Sequence, residues 1–370
     1  MKQLSYIFLC LLFGSLNPIE ADAQVKEEFI WTKIKPTEVN GRLADKDIDR
    51  FNRLPLALKS EVREPVWRLS QHSAGLYLQF TTDAEKIRVE YQVKGNKSMP
   101  HMPATGVSGV DLYALDGPSE WCWIRGNYRF QDTISYNYSG ISKRSSERVY
   151  YLYLPLYTKV EWLKIGVPKN NNLEIKRENK TKQKPLVVYG TSIAQGACAS
   201  RPGMAWTNIL SRNLARPIVN LGFSGNGLLE EPILDYFTKY DAEAIILDCM
   251  PNFTRDNMGP EQARKRLREA ITLIRSKHKK TPMLLVQHGG YSDGALQQDR
   301  KQLYTSLNKV VTDVYHEMIE NGVQHIYMLT KEEIGLGVDA FVDGTHPNDH
   351  GMIQYARAYE KFLKEQQLIE

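Results

Sequence analysis

The sequence predicts a parallel α/β sheet with helices on both faces, preceded by an all-β sandwich. Two observations carry this expectation. After Pro185, apolar runs of four to six residues alternate with longer helical patterns, whereas residues 24–168 hold many short alternating stretches broken by Gly, Pro, Asn and Asp. With 370 residues the chain is long enough for two domains that each bury a core.

In the first part, the stretches 76–80, 87–93, 110–115 and 149–154 have the period and composition of strands, and no convincing helix lies between them. Residues 169–184, with three consecutive Asn and many Lys, are expected as a linker. In the second part, Pro185–Tyr189 reads as a buried strand, followed by a helix over 204–215 and a strand over 218–221. A helix over 231–240, a strand over 244–247 and a helix over 260–278 come next, the last with Ala263, Leu267, Ala270, Ile271 and Ile274 on one face. A strand over 283–286, a helix over 299–321, a strand over 326–329 and a helix over 351–366 complete the series. Such alternation implies a parallel sheet covered on both faces.

The N-terminus has the plan of a secretory signal peptide. Lys2 precedes an apolar run from Tyr6 to Leu16, and Ala21-Asp22-Ala23 supplies a small-residue cleavage site, so cleavage is expected after Ala23 and the mature chain is expected to be secreted or periplasmic. The apolar run is short for a bilayer core of about 30 Å, so stable membrane insertion is not expected. The 48 Lys and Arg against 43 Asp and Glu are spread along the chain without a basic arm, and nothing calls for nucleic acid. Beyond Cys10, the cysteines are Cys122, Cys198 and Cys249, with no Cys-x-x-Cys pair and hence no sign of a zinc cluster or dithiol site. Cys198 and Cys249 are compatible with one bridge or with two buried thiols. No sequence feature fixes the oligomeric state.

In an open parallel sheet, ligands gather at the carboxyl ends of the strands. The first strand is followed by Gly190-Thr191-Ser192, the second by Gly222-Phe223-Ser224-Gly225-Asn226-Gly227, the third by Asp248-Cys249-Met250-Pro251-Asn252, and the fourth by Gln287-His288-Gly289-Gly290. Near the C-terminus stands Asp343-Gly344-Thr345-His346-Pro347. A serine hydroxyl becomes a nucleophile only when an imidazole takes its proton and a carboxylate fixes the imidazole tautomer. The oxyanion that follows needs preorganised donors, which backbone N–H groups and an Asn amide provide. Ser192, His346 and Asp343 fit the first requirement; the N–H groups of Ser192 and Gly225 and the amide of Asn252 fit the second. No metal or cofactor is needed for this chemistry.

These blocks resemble those of the SGNH (GDSL-type) hydrolase superfamily over residues 185 to about 365. Gly190-Thr191-Ser192 matches its Gly-Asp-Ser block except at the middle position, and Asn220 to Gly225 matches its second block. Met250-Pro251-Asn252-Phe253 keeps the Asn of the third block without its Gly and Asp, and Asp343-Gly344-Thr345-His346 matches Asp-x-x-His. Upstream, Gly109-Val110-Asp111-Leu112-Tyr113 resembles the Gly-x-Asp-Leu-Tyr signature of a β-sandwich module that precedes some of these hydrolases. The resemblance implies a flavodoxin-like SGNH hydrolase domain over 185–370 behind a jelly-roll-like sandwich over 24–168. It also implies a triad of Ser192, His346 and Asp343, an oxyanion hole of Ser192, Gly225 and Asn252, and an acylated carbohydrate as the substrate, foremost its acetyl esters.

Plainer readings exist for each residue. Ser192 also suits a helix N-cap, Asn252 a turn cap, and Gly225 mere turn geometry. His288 would contact substrate from the sheet edge or simply hold a turn. Asp111 and Tyr113 suit strand pairing better than a ligand or a domain interface, and Trp121-Cys122-Trp123 suits core packing better than a sugar platform. At the level of function, the rivals are a lipid-directed hydrolase of the same chemistry and a glycan-binding protein that has lost catalysis.

Overall fold

The computed structural model describes residues 27–43, 46–117, 120–143, 148–177, 183–255 and 258–369. The expected signal peptide lies outside the described residues.

The first part is a sandwich of two antiparallel five-stranded sheets. Its strands are β1 (Phe29–Lys33), β2 (Tyr77–Thr82), β3 (Lys86–Lys94), β4 (Asp111–Leu115), β5 (Trp121–Ile124), β6 (Asn127–Phe130), β7 (Ile134–Ser139), β8 (Arg148–Tyr153), β9 (Lys159–Pro168) and β10 (Leu173–Lys176). One sheet has the order β1-β9-β3-β7-β6 and the other β10-β2-β8-β4-β5. The alternation seen in sequence aims Leu78 and Phe80 of β2, Val89 and Tyr91 of β3 and Leu152 of β8 into the shared core. The expected linker begins inside this sandwich, because Leu173–Lys176 pairs with β2 as an edge strand.

The segment between β1 and β2 departs from an all-β expectation. It carries a helix, α1 (Glu64–Ser70), and Leu54, Leu58, Val66 and Leu69 from this segment pack into the core of the second part. Arg53, fully buried, donates to the carbonyl oxygens of Gly222 (2.6 Å) and Leu69 (2.7 Å), and its guanidinium lies 4.9 Å from the Phe223 ring centre. Burial pulls its pKa down to about 9. A short helix, α2 (Ala104–Val107), leads into β4.

The second part is a parallel sheet of β11 (Leu186–Gly190), β12 (Ile218–Gly222), β13 (Ala244–Asp248), β14 (Met283–Val286) and β15 (Ile326–Leu329), in the order β12-β11-β13-β14-β15. This is the doubly wound order whose switch point flanks its first strand. The helices are α3 (Ser192–Gln195), α4 (Trp206–Leu214), α5 (Glu231–Phe237), α6 (Gly259–Lys277), α7 (Gln298–Glu320), α8 (Lys331–Ile334) and α9 (Asp349–Glu365). Val187 and Tyr189 face the core shared with α5, α6 and α7, while Leu186 and Val188 face that of α4 and α9. The five positions expected on the buried face of α6 are all buried.

The two parts are clamped together at the Gly-x-Asp-Leu-Tyr segment. Asp111 of β4, 3% exposed, accepts from Arg201 Nη1 (2.5 Å), the Gly203 N–H (3.0 Å) and Trp123 Nε1 (2.5 Å). Tyr113 accepts from the same Arg201 nitrogen at 2.6 Å, and Arg212 of α4 stacks on the Tyr113 ring at 4.1 Å. These residues therefore form an interface, not only a strand pair, and Trp123 belongs to it.

Two stability predictions follow from this packing. Asp111→Ala removes the carboxylate shared by Arg201, the Gly203 N–H and Trp123, so urea denaturation should show a loss of about 2–3 kcal/mol with an unchanged m value. Asp248, buried beneath the end of β13, has its pKa pushed up to about 7 by burial despite a hydrogen bond from Tyr359. The folded state keeps this proton while the unfolded chain loses it near 3.8, so the contribution of Asp248 to stability should fall as pH rises from about 4 to 7. Asp248→Asn should remove that contribution, so its Tm relative to the parent should rise as pH goes from about 4 to 7 and exceed it at pH 8; a Tm difference that does not change with pH would contradict the buried proton.

Candidate active site

The ends of β11, β12 and β13 bring three of the expected residues to one edge. Ser192 opens α3 directly after β11, so its backbone N–H lies at a helix start and has no intrahelical acceptor. The residue is 8% exposed, enough to be reached yet mostly shielded. Thr191, not Ser192, is the N-cap, and its hydroxyl accepts from the Ile193 N–H at 3.3 Å. That frees the Ser192 hydroxyl from capping.

Ser192 Oγ lies 2.9 Å from His346 Nε2, and His346 Nδ1 lies 2.7 Å from Asp343 Oδ2. The other carboxylate oxygen of Asp343 accepts from the backbone N–H groups of Thr345 (3.0 Å) and His346 (2.7 Å). Burial alone would raise the Asp343 pKa, but these bonds and the nearby imidazole hold it below the usual carboxylate range. An ionised Asp343 makes Nδ1 the protonated nitrogen and leaves Nε2 to accept the serine proton.

The loop that carries both residues is pinned from several sides. Gly344 adopts φ +78° at its tip, and its carbonyl accepts from the Ser292 N–H (3.2 Å) and from Arg300 of α7 (3.2 Å). After the loop, Asp349 at the start of α9 accepts from the N–H (2.8 Å) and hydroxyl (2.5 Å) of Ser200. Thr105 of α2 donates to the Ser200 carbonyl at 2.7 Å. The nucleophile loop, the histidine loop and the sandwich are thus tied at one residue.

Gly225 follows β12 at φ +66°, in the left-handed region that favours glycine. Gln195 holds this turn against α3: its Oε1 accepts from the Ser224 N–H (3.0 Å), and its Nε2 donates to the Leu156 carbonyl (3.1 Å). The Nδ1 of His72 also accepts from that amide, at 3.2 Å. Burial, aided by Arg53 and Arg68, drags the His72 pKa down to about 3, which keeps the ring a neutral acceptor. Asn252 follows β13, 6% exposed. In the amide orientation that satisfies its neighbours, its oxygen accepts from the N–H groups of Asn226 (3.0 Å) and Gly227 (2.8 Å). Its NH₂ is then turned away from both of those donors.

His288 is placed elsewhere. It is 1% exposed, its Nδ1 accepts from the Gly290 N–H (2.9 Å), and its ring packs on Tyr291 at 4.6 Å between centres. Burial drives its pKa to about 3. It holds the turn after β14 and does not face substrate. Cys198 and Cys249 are buried free thiols, and no bridge joins them.

One residue at the site was not anticipated. His101, in the loop before α2, brings the sandwich to the triad and stacks on His346 with ring centres 6.0 Å apart and planes 25° apart. Its only sequence signal is a histidine in Met99-Pro100-His101-Met102-Pro103, a stretch that reads as a turn.

A hydrogen-bonded serine, imidazole and carboxylate beside a glycine turn and an Asn amide are equipped for acyl transfer. Comparison with known proteins agrees. Residues 183–364 match the GDSL-like Lipase/Acylhydrolase family, and residues 29–173 match the GxDLY N-terminus of SGNH-hydrolase-type esterases. A structure described as a GDSL-like lipase, from Bacteroides ovatus, is 28% identical with a TM-score of 0.84, covering 93% of this chain and 99% of its own. A salicylyl-acyltransferase from a tetracycline biosynthetic pathway shares the fold at 18% identity and a TM-score of 0.71, over 92% of this chain and 98% of its own. So does an acetyl xylan esterase from Butyrivibrio proteoclasticus, at 12% identity and a TM-score of 0.56, over 92% and 100%. No curated protein matches the chain.

Proposed function

The chain belongs to the SGNH/GDSL-type hydrolases with a GxDLY N-terminus, and on that premise we propose that it is an exported serine esterase that removes acetyl groups from carbohydrate. The observation that carries the chemistry is the unbroken chain from Ser192 Oγ through His346 to Asp343, with links of 2.9 and 2.7 Å. Support for a carbohydrate ester comes from fold neighbours that include an acetyl xylan esterase and a carbohydrate esterase from Cellvibrio japonicus, both covered along their full length. Support for export comes from the N-terminal sequence, with its apolar run and Ala21-Asp22-Ala23. No helix among the described residues is long and apolar enough to cross a membrane.

In this reading Ser192 Oγ attacks the ester carbonyl as His346 Nε2 takes its proton. Asp343 stays ionised and balances the imidazolium. The tetrahedral oxyanion is received by the N–H groups of Ser192 and Gly225 and the amide of Asn252. His346 then returns the proton to the departing sugar hydroxyl, leaving an acyl-serine. Water, deprotonated by the same imidazole, resolves that ester and releases acetate.

Hydrolysis of p-nitrophenyl esters of rising chain length, followed by acetate release from acetylated xylan, tests the reading. Activity should be highest on acetyl, and Ser192→Ala and His346→Ala should each lower kcat by at least about 10³-fold without unfolding the protein. A preference for long chains would instead favour a lipid substrate, and full activity in either folded variant would exclude the triad. Asn252→Ala should lower kcat by about 10²–10³; a loss under about threefold would remove Asn252 from the oxyanion site.

A further inference from the structure

We propose that His101, Cys198 and Asp343 form a zinc site on the rim of the triad, and that a zinc ion held there stops the hydrolysis proposed above. The three side chains offer an imidazole nitrogen, a thiol sulfur and a carboxylate oxygen, all within 4.8 Å of one another. Tetrahedral zinc, with bonds of about 2.0–2.3 Å, needs ligand atoms roughly 3.3–3.8 Å apart. The widest pair in the cluster therefore has to close by about 1–1.5 Å. Sulfur and imidazole together favour zinc over calcium or magnesium, which take oxygen. Among the described residues, no other three side chains of these types meet in this way.

The ligands are independently held. His101 sits in a turn closed by the Met99 and Met102 backbone hydrogen bonds (3.0 and 3.1 Å), and Asp343 is fixed by its own loop. Cys198 is buried at φ +68° in the loop three residues past α3, next to the bonds from Ala197 N–H to the Ser192 carbonyl (2.9 Å) and from Ala199 N–H to the Gly196 carbonyl (3.2 Å). The three belong to three different loops, one from the sandwich, so an ion would staple the sandwich to both catalytic loops. Its fourth position would remain for water.

The consequence for catalysis follows from charge. Zinc bound to Asp343 engages the carboxylate that balances His346, and sets a dication beside an imidazole that must become cationic in the transition state. On binding, the Cys198 thiol gives its proton to solvent and the sulfur donates to the metal. No bond to substrate is made, so removal of zinc restores the resting site. The binding is independent of the proposed esterase reaction, while the inhibition rests on it.

The test uses the full chain, freed of metal by chelator and then dialysed against zinc. One equivalent should bind and raise Tm, and cobalt in its place should give a thiolate charge-transfer band in the near ultraviolet. Hydrolysis of p-nitrophenyl acetate should fall at least about tenfold at saturating zinc and return with EDTA. Cys198→Ala should keep metal-free activity within about twofold, lose the cobalt band and need at least about tenfold more zinc for inhibition; His101→Ala should weaken binding similarly. Absence of binding, or binding unchanged in both variants, would overturn the site. Binding through these ligands with hydrolysis unaffected would overturn the inhibition. If the parent shows no esterase activity, the function proposal fails separately, and dialysis and the cobalt spectrum still decide the metal site.

Discussion

The arrangement of the site depends on one carboxylate. Asp343 accepts from its own loop through two backbone N–H groups and from His346 through the ring, so the group that orients the imidazole is itself immobilised by the backbone that carries it. Charge-assisted bonds of this kind are about twice as strong as neutral ones. They set the imidazole tautomer, and the tautomer sets which nitrogen faces Ser192. The three-residue spacing of Asp343 and His346 is what allows one tight turn to deliver both, with Gly344 in the left-handed region at its tip.

The sandwich is part of this construction. Asp111 and Tyr113 grip Arg201, which lies one residue after Ser200, and Ser200 is held in turn by Asp349 and Thr105. The chain of contacts runs from β4 to the loop after the nucleophile and on to the start of α9. Arg53 makes a second tie, from the segment before α1 to the end of β12, and Gln195 holds the turn that contains Gly225. The Gly-x-Asp-Leu-Tyr signature thus has a physical reading: its acid and its phenol secure the interface behind the catalytic edge.

Much of the second part was legible because its signals are local. Short apolar runs gave the five strands to within a residue or two, and the 3.6-residue period of α6 placed its buried face. Ser192, Asp343, His346 and Asn252 were legible as strand-end and loop residues whose chemistry fits together. The sandwich was harder. Edge strands such as β5, β6 and β10 lack a clean alternation because much of their surface is exposed, and α1 is too short for a periodic signal. Contacts between the parts were invisible for a different reason. Arg53, His101 and Arg201 act through carbonyls, rings and carboxylates far away in sequence, and no spacing rule connects them. His288 illustrates the converse: its place at a strand end suggested substrate contact, but packing against Tyr291 and Tyr304 turns it inward.

The most direct measurement is covalent trapping of the nucleophile. The full chain is treated with a fluorophosphonate, digested, and the adduct located by mass spectrometry, with His346→Ala labelled in parallel. The expected result is a single adduct on Ser192 in the parent and a much slower reaction in the variant, because Oγ is activated only by the imidazole that accepts its proton. An adduct on another residue, or equal labelling with and without His346, would contradict the account.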